Sequence, residues 1–204
     1  MEAAMNVSYL MKGILSLLLA FGFTASALGG EPTEKIRQTT DRILSILADP
    51  SLNKPSTVDE RRKLIRKAVD ERFNWQEMAQ RSLARHWAQR TDGEKKEFIR
   101  LFGELLEGAY MSKVEGYSGE KVLYEGETTD GDYAIVKVKI ETKKNVDIPV
   151  DYRLKKEGSD WLVYDISIEG VSLVNNYRTQ FNSIITQSSY ESLVKKLKEK
   201  VAQK

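Results

Sequence analysis

The chain has 204 residues, one histidine, no cysteine and a formal net charge of +2, from 32 Lys and Arg against 30 Asp and Glu. Without cysteine there is no disulfide framework, no acylated N-terminal thiol and no thiolate chemistry, and a metal would depend on carboxylates, which show no EF-hand-like spacing. The near balance of charge argues against a dedicated nucleic-acid binder, whose surface carries a basic stripe or a pI above ~9.

Lys12 precedes an apolar run, ILSLLLAFGF from Ile14 to Phe23, and Ala25-Ser26-Ala27 supplies small residues at cleavage-site spacing. These describe a secretory signal peptide over residues 1–27, cleaved near Ala27. The run is about half of the ~20 residues a spanning helix needs, so the other reading, an uncleaved anchor, has to recruit flanking residues. Residues 28–204 are expected to form a single domain, large enough for a core without disulfides, with the periplasm as its compartment. Cleavage removes one Glu and one Lys and leaves the net charge unchanged.

TEKIRQTTDRILSILADP reads as a helix, with Ile36, Ile43, Leu44 and Leu47 on one side and Pro50 beyond its end. After the loop SLNKPS, Thr57-Val58-Asp59-Glu60 has the pattern of a capping box and opens a helix to about Phe73. Asn74 to Glu77 opens a short helix through Leu83, with Arg85-His86-Trp87 just after. Thr91 to Glu94 caps the longest helix, where Phe98, Leu101, Phe102, Leu105, Leu106 and Ala109 form a broad apolar stripe. Gly116 to Gly119 ends it.

The period then changes from 3.6 to 2. KVLYEGE is short, DYAIVKVKIE puts Ala134, Val136, Val138 and Ile140 on one face, and Asp147 to Lys155 does the same with Ile148, Val150, Tyr152 and Leu154. Pro149 lacks an amide donor, which predicts a sheet edge or a bulge there. Glu157 to Asp160 turns the chain into WLVYDISI. Short turns between consecutive strands imply an antiparallel sheet, and the order implies an α+β fold: about four twisted strands covered on one face by helices. Ser172 to Ser188 reads as a helix bearing Leu173, Tyr177, Phe181 and Ile184/Ile185, and a last helix sets Leu193, Val194, Leu197 and Val201 against lysines. The connection after the last strand is unusually apolar, with Val171, Leu173 and Val174 following Glu169-Gly170.

Few residues suggest reaction chemistry. There is no Gly-rich phosphate cradle. A nucleophilic triad would need His86, and no G-x-S-x-G elbow accompanies it, so His86 reads as a packing or hydrogen-bonding residue beside Trp87. The serious enzymatic alternative uses Asp151-Tyr152 and Tyr164-Asp165: a carboxylic acid and a phenol in an NTF2- or ketosteroid-isomerase-like cavity can move protons on a small hydrophobic substrate. Alternation turns each aspartate away from its neighbouring tyrosine, which weakens it. A third reading is an interaction or chaperone-like module with a filled core. The lysine-rich tail reads as a solvated helix face, or as a patch drawn to anionic headgroups at ~1 kcal/mol per basic residue.

Three stretches, RRKLIRKAVDERFNWQEMAQRSLARHW, EKKEFIRLFGELLEGAYMSKVEGYSGEKV and IPVDYRLKKEGSDWLVYDISIEGVSLVNNYRTQFNSII, closely resemble the MlaC family, the most specific part being DWLVYDISIEGVSLVNNYR. Gly93 and Gly103 depart from what a helix prefers. The resemblance implies a periplasmic phospholipid-binding protein, also described as a toluene-tolerance component of an ABC transport system. It implies a non-enzymatic carrier without cofactor, its cargo a glycerophospholipid with acyl chains between sheet and helices. The implied partners are an inner-membrane ABC complex with a lipid-binding hexamer and an outer-membrane lipoprotein–porin complex. Two acyl chains carry roughly 30 methylenes, and at ~0.8 kcal/mol each their exposure would cost of order 20 kcal/mol. Nearly all of that length has to be enclosed, which would give the apolar connection a role as a cavity wall. With this resemblance, the lining is expected from Phe102, Leu105, Tyr124, Val136, Val138, Val150, Tyr152, Tyr164, Ile166, Val171, Leu173, Tyr177 and Phe181, with Arg85, His86 and Arg178 at the rim or in partner contacts.

Overall fold

In a computed structural model, residues 29–203 are described; the signal-peptide reading lies outside them. The described residues form α1 (Glu31–Ala48), α2 (Val58–Asp70), α3 (Trp75–Leu83), α4 (Asp92–Glu115), then β1 (Lys121–Asp130), β2 (Tyr133–Glu141), β3 (Asp147–Glu157), β4 (Asp160–Ile168) and β5 (Val171–Ser172), and finally α5 (Leu173–Gln187) and α6 (Tyr190–Ala202). The five strands make one antiparallel sheet in sequence order. The fold is α+β, and the fifth strand is a two-residue extension made by the apolar connection.

Local chemistry sets most boundaries. Thr91 and Glu94 complete a reciprocal capping box at the start of α4, and Asn74 accepts from the Glu77 amide at 2.9 Å to start α3. The Thr57 pattern does otherwise. Its hydroxyl donates to the Ser51 and Lys54 carbonyls, so the chain makes one 3-10 turn, Pro55–Thr57, before α2 begins without a side-chain cap. Pro149 is accommodated without a bulge: its carbonyl accepts from the Glu169 amide at 2.9 Å, so its nitrogen, on the same side of the strand, faces the turn that ends β4. Glu169 and Gly170, both at positive φ, make that turn.

Two hydrophobic cores result. The helical one joins α3, α4, α5 and α6 around Phe98, Phe102, Phe181 and Leu193. The other lies between α1 and the sheet, around Ile36, Val136, Leu154 and Val163. Phe73 touches both, held at the α2–α3 corner by Asn74 and Val163 amides donating to the Val163 and Arg72 carbonyls, each at 2.9 Å. Where the two cores fail to meet, a space is left.

Candidate functional site

That space is a cavity of about 270 Å³. Its floor is the sheet: Ile140 from β2, Val150 and Tyr152 from β3, Ile166 and Ile168 from β4. Its walls are α1 (Ile36, Thr39, Thr40, Ile43), α2 (Ile65, Arg66, Val69) and the C-terminal half of α4 (Leu106, Glu107, Tyr110, Met111, Val114). Phe73, Trp75, Met78 and Leu173 close the end nearest the helical core, and Arg72 completes the lining. The helix α4 thus does two jobs: its N-terminal half is buried against α3 and α6, and the second half continues past that core to overhang the sheet.

The lining is apolar, and its polar members are mostly committed elsewhere. Arg72 donates to Asp160 at 2.9 Å, to the Trp161 carbonyl at 2.6 Å and to the Thr39 hydroxyl at 3.3 Å, pinning the α2–α3 corner to β4 and α1. Burial pushes the Tyr152 phenol up to about 12, so it stays neutral and cannot serve as a proton acceptor near neutral pH.

Of the residues expected to line a cavity, Val150, Tyr152, Ile166 and Leu173 do so. Phe102, Tyr177 and Phe181 form an aromatic cluster with centroids 5.4–5.7 Å apart inside the helical core, and Leu105 packs against it. Val136 and Val138 are buried in the closed part of the sheet core. Tyr124 carries Arg37 over its ring at 4.2 Å. Val171 is 55% exposed, Leu173 turns inward and Val174 is buried in the helical core, so the apolar connection contributes one surface residue, one wall residue and one core residue.

Tyr164 is displaced by a bulge. Arg153 pairs with Asp165 while the adjacent Leu154 pairs with Val163, leaving Tyr164 as the extra residue of β4. It packs on Tyr133 at 6.0 Å and under Arg81 at 4.3 Å, on the face opposite Tyr152. The same bulge sends Asp165 to that face, where it accepts from the Ser172 hydroxyl at 2.6 Å and the Val174 amide at 3.1 Å, anchoring the start of α5. Asp151 and Asp165 are both absent from the cavity lining. Arg85 and His86 gather on Asn182, with Nη2 and Nε2 at 2.8 and 3.0 Å from its Oδ1, in a surface groove shared with Arg178 and separate from the cavity.

A sequence profile described as MlaC protein matches residues 37–199. The chain belongs to the MlaC family. One MlaC relative, the intermembrane phospholipid transport system binding protein MlaC of Haemophilus influenzae, is 22% identical over 208 residues, spanning 98% of this chain and 97% of that protein. Among solved structures, the phospholipid-binding protein of Ralstonia solanacearum, determined in complex with a phospholipid, superposes with a TM-score of 0.75 at 24% identity, covering 85% of this chain and 98% of that one. This chain and the Ralstonia protein therefore share a fold.

Two groups stand out among the lining residues that sequence reading missed. Leu106 already belongs to the α4 stripe, and Tyr110 and Val114 continue it at steps of four past Ala109, a signal present in the sequence. The α1 and α2 contributions follow from how those helices lean on the sheet, which no local pattern encodes.

Proposed function

We propose that this MlaC-family chain is a soluble periplasmic carrier that shuttles glycerophospholipid between the outer and inner membranes, with the acyl chains in the cavity between sheet and helices. The observation that carries this reading is an almost wholly apolar cavity at the junction of two cores, in a fold whose Ralstonia counterpart holds a phospholipid. Residues 1–27 act as the export signal, and residues 28–204 are the lipid-binding domain. No helix among the described residues is long and apolar enough to cross a membrane. The carrier exchanges cargo with an inner-membrane ABC complex containing a lipid-binding hexamer and with an outer-membrane lipoprotein–porin complex. Val150, Tyr152, Ile166 and Leu173 contact the acyl chains.

The enzymatic alternative loses its carboxylate, since neither Asp151 nor Asp165 lines the cavity, and the neutral Tyr152 phenol supplies a donor but no base. Organic extraction of gently purified protein, followed by mass spectrometry, should yield near-stoichiometric diacyl phospholipid; protein free of diacyl lipid would overturn the reading.

A further inference from the structure

Among the described residues, Arg66 and Glu107 alone line both the apolar cavity and the charged groove along the outside of α2. They mark the mouth, the point where apolar wall meets water. Helix α2 packs on α1, and α4 packs on α3 and α6. Across the mouth α2 and α4 are linked by ion pairs: Arg66 Nη1 to Glu107 at 2.5 Å, and Arg61 and Arg62 to Glu115 at 2.8 and 2.9 Å.

The Arg66 guanidinium is set into a prepared slot. Its Nε donates to Asp70 at 2.7 Å, and Trp75 Nε1 donates to the same oxygen at 2.7 Å. The guanidinium lies over the Trp75 ring at 5.6 Å. Beside both lies Gly103, where an added Cβ would come within 3.2 Å of Nη2 and 3.8 Å of the Trp75 ring. A mid-helix glycine costs about 1 kcal/mol relative to alanine, and here it leaves room for the guanidinium beside the Trp75 ring. Arg72, the other lining arginine, is turned onto β4 and Thr39.

We propose that Arg66 is the subsite for the phosphodiester of the bound lipid, whose oxygens take the place of Glu107 on the outer edge of the guanidinium while Nε stays on Asp70. This assignment rests on the carrier reading. With its tails in the cavity, a glycerophospholipid presents its phosphate at the mouth, and a guanidinium fork matches phosphate as it matches carboxylate. One anion replaces another, so the charge beside Arg66 is conserved, and Glu107, already 27% exposed, turns to water. The exchange also releases one of the ties between α2 and α4, leaving those from Arg61 and Arg62 to Glu115 in place.

The test uses the delipidated exported chain and vesicles carrying either phosphatidylglycerol or diacylglycerol with identical fluorescent tails. Wild type should prefer the phospholipid by about tenfold or more, the factor for one charged hydrogen bond. In Arg66→Met this ratio should collapse toward one. Glu107→Gln, which keeps the arginine in its slot, should strengthen phospholipid uptake several-fold, and it decides the matter if the first variant fails to fold. A preference retained in Arg66→Met, or unchanged or weakened phospholipid uptake in Glu107→Gln, overturns the subsite. Millimolar inorganic phosphate should leave uptake unchanged; if it erases the preference, the site takes free phosphate and the lipid assignment falls. Equal uptake of both lipids by wild type sinks the subsite alone, whereas uptake of neither sinks the carrier reading with it.

Discussion

Tyr152 and Tyr164 lie on paired strands yet face opposite sides of the sheet, because β4 carries one residue more than β3 beside Arg153. A single inserted residue inverts every side chain on one side of it. Ile166 consequently joins Tyr152 on the cavity floor, while Asp165 crosses to the other face and caps α5. The distinction between wall and core is just as local. Ile166→Trp should fill the space and abolish lipid capture, read by tail fluorescence, with little change in the urea midpoint. Val136→Trp, at a position with 0% exposure in the closed core, has nowhere to put the ring and should lose about 1–3 kcal/mol in the same denaturation experiment.

At the scale of elements, two of the three glycines in α4, Gly93 and Gly103, have opposite meanings. Nothing lies within 4 Å of a Cβ added at Gly93, whereas one at Gly103 meets Arg66 Nη2 at 3.2 Å. Gly93→Ala should therefore stabilise the protein by about 0.5 kcal/mol, and Gly103→Ala should give none of that gain, as measured by chemical unfolding of both variants. Both glycines stood out in the sequence as poor helix formers, but only the packing of α2 and α3 separates a neutral surface choice from a slot. Much of the element structure was legible: strand alternation, the Thr91 and Asn74 caps and the apolar stripe of α4 all depend on neighbours a few residues away. The Thr57 box was misleading because its hydroxyl finds the Ser51 and Lys54 carbonyls first. The candidate site was legible only in part, since Phe102, Tyr177 and Phe181 lie on the buried faces that periodicity indicates yet spend their area on one another.

For the whole molecule, carboxylates hold the parts together. The Glu115 carboxyl is held below its ordinary value of 4.5, chiefly by the hydrogen bond from Arg62, with burial opposing and Arg61 assisting. Burial of Asp160 works against its charge, but hydrogen bonds from Lys35, the Trp161 amide and Arg72 outweigh it and lower its pKa. Both groups are more acidic folded than unfolded. Their stabilisation is thus complete at neutral pH and is lost as pH falls through the depressed folded values. The thermal midpoint should drop on acidification below about pH 4.5. Glu115→Gln should lower the midpoint at pH 7 and flatten part of that acid decline; an unaltered acid profile would show that the α2–α4 tie adds nothing to stability.

The sequence by itself determined which faces of each helix and strand turn away from water, and through its family-specific stretches it pointed to a lipid carrier. Both signals live in short-range order, where residue spacing and capping chemistry act within a few positions. Only the tertiary structure decided where the two buried surfaces fail to fill one another. A void depends on how α1, α2, α4 and the sheet lean together and on one bulge in β4, and van der Waals contact across that gap is summed over residues far apart in the chain.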